Sequence, residues 1–260
     1  MTTLPPGPDF RVDGRRALVT GGSSGIGLAA AVALARAGAR VTIAARRAAA
    51  LDEARAVLRA EGLVCDTLVL DITDPTAVEA AFDICAGDDR APFEILVNNA
   101  GMNRPKPLIE LDNDDIDAVL ELNVKAAFYV ARAFARRLLA SGRGGSIINV
   151  SSQMGHVGSP RRTLYCASKH ALEGMTKALA WELGKAAIRV NTVCPTFIET
   201  PMTAGMFDAP GFRQWVEDRI ALGRVGSMHE VMGAIVFLAS DASSLMTGSA
   251  LMLDGGWSAA

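Results

Sequence analysis

Short runs of β-branched and other apolar residues alternate along the chain with longer Ala- and Leu-rich stretches whose apolar positions recur at helical spacing. The runs predict strands at Ala17–Thr20, Val41–Ala45, Val64–Leu70, Ile95–Asn98, Ser146–Val150, Arg189–Val193 and Ala250–Leu253. The stretches predict helices at Ile26–Ala37, Ala48–Ala60, Pro75–Ala86, Asp114–Leu139, Tyr165–Leu183 and His229–Ala239. Strands that are apolar on both faces and separated by helices describe βαβ units, whose parallel sheet is covered on both sides. No linker interrupts the alternation. Residues 1–260 are therefore expected to form a single α/β domain, a doubly wound parallel sheet of seven strands with helices on both faces.

Local punctuation places the ends of these elements. Asp74-Pro75 reads as an N-cap followed by proline at the first helical position. Gly38, Gly62 and Gly184 fall where helices should stop in a left-handed residue. The segment 196–222 differs from the rest: Pro201, Gly205, Pro210 and Gly211 break up a stretch rich in Met and Phe, which reads as a substrate loop.

Composition narrows the function. The chain is 50% hydrophobic and carries a formal charge of -2, so it lacks the basic field that draws a protein onto nucleic acid or an anionic membrane. Its longest apolar stretches, such as Leu28–Ala35 and Ala234–Ala239, fall well short of the ~18 residues of a spanning helix. The first ten residues show neither the basic nor the apolar region of a secretory leader, and the expected setting is cytoplasmic. Cys65, Cys85, Cys166 and Cys194 show no C-x-x-C spacing, and His156, His170 and His229 are far apart, so no metal site is expected.

The first strand runs directly into Thr20-Gly21-Gly22-Ser23-Ser24-Gly25-Ile26-Gly27 and then a helix. Glycines there let the backbone approach a pyrophosphate, whose charge rests on the helix N-terminus. This is the opening of a dinucleotide-binding (Rossmann) sheet. The same residues also fit G-x-S-x-G, a nucleophile elbow with Ser23 as nucleophile, but that reading needs an acid and then a histidine downstream in a loop. The second strand ends in Ala44-Ala45-Arg46-Arg47. An NAD enzyme places a carboxylate here for the ribose 2′-hydroxyl, whereas a guanidinium fork suits a 2′-phosphate. NADP(H) is therefore favoured, with NAD(H) as the alternative.

Ser151-Ser152 ends the fifth strand, and Tyr165-x-x-x-Lys169 opens the next helix, with phenol and ammonium on one face. A tyrosine working as a base near neutrality needs its pKa lowered by about three pH units, worth ~4 kcal/mol. A cation roughly 4 Å away at an effective dielectric of ~20 supplies about that much.

With Thr20–Gly27, Asp71, Asn98-Asn99-Ala100-Gly101, Asn123, Ser152, Tyr165, Lys169, Pro195, Thr200 and Asp254-Gly255-Gly256 in order, the chain resembles the short-chain dehydrogenase/reductase family from Gly14 to Trp257. The resemblance implies hydride transfer between a nicotinamide cofactor and a secondary alcohol or ketone of 3-oxoacyl, polyol or sugar-acid type. It implies Tyr165 as acid/base, Ser152 as its partner on the oxyanion, Lys169 on the nicotinamide ribose, and Asn123 holding a relay water. It further implies Asp71 at the adenine, Asn98 beneath the adenosine ribose and Thr200 at the carboxamide. Gly21, Ser23, Ser24, Gly25, Ile26, Gly27, Arg46, Arg47, Ile72, Ala100, Gly101, Pro195, Thr196 and Ile198 are the remaining expected cofactor contacts. Ser152, Met154, Ser159, Tyr165 and Thr196 are expected at the substrate. The chain departs from the family pattern at Thr196, where glycine is usual, and at Ser24, where many NADP-specific members carry a basic residue.

A cofactor-binding regulator without chemistry is the alternative, and the complete Asn123, Ser152, Tyr165 and Lys169 set argues against it. Arg161 and Arg162, just before Tyr165, are candidates to attract an anionic substrate, with the competing reading of solvated loop residues. Apolar positions on more than one face of two helices, including Phe128, Val130, Phe134, Leu138, Leu172, Met175, Leu179 and Trp181, suggest self-association. The resemblance turns that into a homotetramer.

Overall fold

The computed structural model describes residues 7–86 and 91–259. Most of the amino-terminal stretch read for a leader, residues 1–6, and the last residue of the expected domain lie outside the described residues. Seven parallel strands form one sheet in the order β3-β2-β1-β4-β5-β6-β7. They are β1 (Arg16–Thr20), β2 (Arg40–Ala45), β3 (Cys65–Val69), β4 (Ile95–Asn98), β5 (Gly145–Val150), β6 (Ile188–Pro195) and β7 (Ala250–Leu253). The order reverses between β1 and β4, and an open parallel sheet leaves a crevice at the carboxyl ends of its strands at that switch.

Successive strand residues feed two separate cores, as the two-residue pleat requires. Val19, Ile43, Val97 and Ile148 pack under helices α1 (Gly25–Arg36), α2 (Ala48–Ala60) and α9 (Met228–Ala239). Their neighbours Leu18, Ala44, Leu96 and Ile147 pack on the other face under α3 (Pro75–Ala86), α5 (Ala126–Ser141) and α6 (Thr163–Leu183). Side chains such as Phe134, Leu138 and Ile147 are fully buried there.

Three expectations need correction. The single helix expected over 114–139 is two, α4 (Asn113–Leu120) and α5, joined by a π turn at Glu121–Lys125 in which the Ala126 N–H reaches back to the Glu121 carbonyl. The segment 196–222, expected to be a substrate loop without elements of its own, contains the short helices α7 (Pro201–Phe207) and α8 (Phe212–Glu217). Gly184 does not supply the left-handed stop of α6; the chain continues through a tight turn and Ala187 takes that conformation at φ +56°. Gly38 and Gly62 do adopt positive φ, and Asp74 caps α3 by accepting from Thr76 and Ala77.

Candidate active site

The Thr20 hydroxyl at the end of β1 accepts from the backbone N–H groups of Asn99 (3.0 Å) and Ala100 (3.2 Å), tying the first turn to the loop after β4. The Asn99 amide donates back to the Thr20 and Gly21 carbonyls. Gly21 and Gly25 turn at φ +63° and +54°, and a Cβ on Gly27 would stand 2.2 Å from the Gly21 carbonyl oxygen. Helix α1 starts from an extended Ser24 whose side chain does not cap it, and its first turn holds no acid. Uncapped N–H groups at the positive end of a helix, beside backbone bare of side chains, suit the pyrophosphate of a dinucleotide.

A cleft with about 1150 Å³ of empty space, mouth included, runs from this turn across the carboxyl ends of the strands. Gly21, Ser23, Ser24, Gly25, Ile26, Arg46, Asp71, Ile72, Ala100, Gly101, Tyr165, Lys169 and Thr200 line it, as the sequence reading expects. Leu122, Val150, Ser151 and Met202 line it as well, with no motif to announce them. Asp71 accepts from the backbone and hydroxyl of Thr73, and these bonds hold its carboxyl below the usual range, with the Arg46 charge adding to the effect.

Several expected contacts sit elsewhere. Asn98 is buried and donates to the Ala127 carbonyl (3.0 Å) and Asn149 Oδ1 (3.3 Å), so it braces α5, and Asn99 faces the cleft in its place. Gly27 provides close packing, Ile198 is buried and Arg47 is exposed at the start of α2. Pro195 presents its carbonyl 3.4 Å from Ser152 Oγ. Ser152, Met154, Tyr165 and Thr196 line a smaller adjoining recess, whereas Ser159 accepts from the Arg162 N–H in the turn before α6.

Ser152 Oγ donates to Gln153 Oε1 (2.7 Å) and accepts from the Met154 N–H (3.1 Å). One turn apart on α6, Tyr165 and Lys169 share a face, and Lys169 Nζ donates to the Val150 carbonyl (2.8 Å) while standing 5.5 Å from the centre of the Tyr165 ring. Burial pushes Lys169 down to about 8, although the Cys194 and Glu173 side chains pull it back. Burial also pushes Tyr165 up to about 12, against a hydrogen bond with Ser152. The protein's own groups do not lower the phenol, because desolvation outweighs a cation that is anchored on a carbonyl and depressed by the same burial; the expected lowering by Lys169 includes help from a positively charged nicotinamide.

Asn123 sits inside the π turn, and its side chain accepts from the Met102 N–H (2.8 Å) while donating to the Met102 carbonyl (2.9 Å) and Ser168 Oγ (3.0 Å). With both ends of its amide engaged, the side chain braces the loop after β4 against the helix of Tyr165. His156 points away from the recess. Its Nε2 lies 3.5 Å from Cys194 Sγ and 3.4 Å from Glu173 Oε1, with Thr192 bonded to the other oxygen of Glu173. His170 contacts the Cys166 carbonyl and His229 contacts Ser227, so among the described residues no histidine serves Ser23 as the elbow reading requires.

Comparison with known proteins bears on the whole chain. A family profile described as enoyl-(acyl carrier protein) reductase matches residues 21–258. Gluconate 5-dehydrogenase of Gluconobacter oxydans (strain 621H) is 41% identical over 252 residues, covering 96% of this chain and 97% of that protein. D-erythrulose reductase of Gallus gallus is 41% identical over 250 residues, covering 96% and 98%. The crystal structure of a gluconate 5-dehydrogenase from Burkholderia cenocepacia J2315, in complex with NADP and tartrate, superposes with a TM-score of 0.93 at 37% identity, covering 97% of this chain and 98% of that one. Together with the glycine turn, the cleft and the Ser152, Tyr165 and Lys169 cluster, these matches show that the chain belongs to the short-chain dehydrogenase/reductase family, NAD(P)(H)-dependent oxidoreductases that move hydride between a nicotinamide and a secondary alcohol or ketone.

Proposed function

We propose that this oxidoreductase prefers NADP(H) over NAD(H) and acts on a small secondary alcohol or ketone of polyol, sugar-acid or 3-oxoacyl type, as a cytoplasmic homotetramer. The observation that carries the cofactor preference is the end of β2, where Ala44, Ala45 and Arg46 line the cleft and no carboxylate stands to receive a 2′-hydroxyl. Arg46 is exposed, so its fork is free to meet a 2′-phosphate. The related Burkholderia enzyme carries NADP, which agrees with this reading. Exchanging Ala45→Asp together with Arg46→Ala should reverse the preference; wild-type kcat/KM equal or higher with NAD(H) overturns it.

When bound, the dinucleotide supplies the site from which hydride leaves or to which it returns. The protein manages the proton. Tyr165, protonated at neutral pH as an ordinary tyrosine is and held so more firmly by burial, donates from its hydroxyl to the oxygen of a carbonyl under reduction, and Ser152 Oγ steadies that oxygen as charge develops. Lys169, seated on the Val150 carbonyl, would hold the nicotinamide ribose. The helices α7 and α8 close the substrate side of the cleft, packed through Phe197, Phe207, Phe212, Trp215 and Trp257.

Self-association rests on fewer residues than the sequence pattern implied. Val130, Phe134, Leu138, Leu172 and Met175 are core, whereas Phe128 is 46% and Trp181 90% exposed. On α6, Ala167, Ala171, Gly174, Ala178 and Trp181 form an exposed, uncharged line of small side chains ending in an indole, which suits close approach of the same helix from a second copy. Four free cysteines suit the reducing cytoplasm.

A further inference from the structure

Beside Tyr165 and Ser152 the cleft opens into a recess with about 390 Å³ of empty space. One wall is apolar, built from Met154, Phe197, Met202 and Met206. The other is polar and lacks partners: Asn103 Oδ1, Gln153 Nε2 and Thr196 Oγ1 are buried with no hydrogen bond. Among the described residues only one further buried side-chain atom, Ser151 Oγ, is in that condition, so such atoms are concentrated here. Buried polar atoms are ordinarily paired, and a group of unpaired ones lining a catalytic recess marks where a ligand completes the bonding.

Arg162 lines the same recess. It is 8% exposed, and the contact its guanidinium makes is with the Met206 sulfur at 3.5 Å. No carboxylate among the described residues pairs with it, and its neighbour Arg161 repels it. A guanidinium this buried is ordinarily matched by an anion. Arg161 itself is exposed and takes a left-handed turn at φ +60°, a conformation costly for a residue with a side chain, immediately before Arg162 turns inward.

We infer that Arg162 binds a substrate carboxylate while Asn103, Gln153 and Thr196 read substrate hydroxyls, so that the enzyme acts on polyhydroxylated carboxylates. The assignment rests on the reading of Tyr165 and Ser152 as the reacting pair. Each side chain limits what can complete it. The Asn103 oxygen only accepts, the Gln153 nitrogen only donates, and the Thr196 hydroxyl does either; hydroxyl groups satisfy all three. Arg162 only donates and carries full charge, which requires an anion. A neutral polyol leaves Arg162 without an anion, and the hydrocarbon of an acyl chain satisfies none of the four.

The test is NADP⁺-dependent oxidation of a stereochemical panel of tetronates to hexonates beside the matching neutral alditols. The wild type should favour the acids. Arg162→Gln should raise KM for the acid substrate by about 10- to 100-fold, the usual worth of a charged hydrogen bond, and collapse the acid-to-alditol ratio of kcat/KM. Arg162→Lys should recover part of that ratio, having the charge without the fork, and Arg161→Gln should keep it. NADPH binding followed by fluorescence checks that each variant is folded. A wild type that prefers the alditols, or a ratio unchanged in Arg162→Gln, overturns the assignment of Arg162. Turnover surviving in Tyr165→Phe instead overturns the reacting pair on which the assignment rests.

Discussion

A buried tyrosine that keeps its proton at neutral pH is a ready acid and a poor base, and this asymmetry sets the expected behaviour of the site. With Tyr165 pushed up to about 12, carbonyl reduction should change little across neutral pH, since the donating form is fully populated. Alcohol oxidation requires the phenolate, so its rate should climb with pH by about tenfold per unit until another step limits it. Initial rates in both directions from pH 6 to 10 check the sign, and an oxidation rate that is level there removes Tyr165 as the base. Tyr165→Phe should lose about 10²–10⁴ in turnover while retaining NADPH affinity. At this scale Ser152, Tyr165 and Lys169 were legible as a group because fixed spacings carry them, above all the four-residue step from Tyr165 to Lys169. The exchange of roles between Asn98 and Asn99 was not, because adjacent residues leaving a strand differ only in which face they meet.

Among the elements, the break in the long helix matters most. A π turn inserts one residue into the backbone ladder, and such insertions are frequent at functional sites. Here it carries Asn123 to where one amide bonds Met102 and Ser168 together, fixing a loop of the cofactor cleft to the helix of Tyr165. Asn123→Ala leaves those buried partners unmatched and should cost about 1–3 kcal/mol of stability, read from urea midpoints, along with cofactor affinity. Serine in its place, too short to reach both, should do little better. An unchanged midpoint would assign the bracing to other contacts. The strands were readable to within a residue or two, since buried parallel strands are dense in Val, Ile and Leu. The π turn was not, because one extra residue barely disturbs the apolar spacing on either side. Of the recess, Arg162, Met154 and Thr196 were singled out by their place beside the motifs, whereas Asn103, Gln153 and Met206 come from separate segments with no shared periodicity.

For the molecule as a whole, the proposed assembly would form on the exposed face of α6. Gly174 has open space around it, and Ala178 and Trp181 stand exposed beyond it. Ala178→Arg places a long charged side chain on this face and should reduce a tetramer to smaller species in light scattering, with the fold intact by circular dichroism. A wild type that scatters as a monomer at micromolar concentration refutes the assembly itself. The distribution of the three tryptophans has an optical consequence. Trp181 stands on that outer face, whereas Trp215 and Trp257 pack edge to face at 6.0 Å within the aromatic group of α7 and α8. Emission from the first would therefore report the proposed subunit contact, whereas emission from the other two reports the packing around α7 and α8, so replacing Trp181 by Phe leaves a chain whose intrinsic fluorescence follows those helices alone.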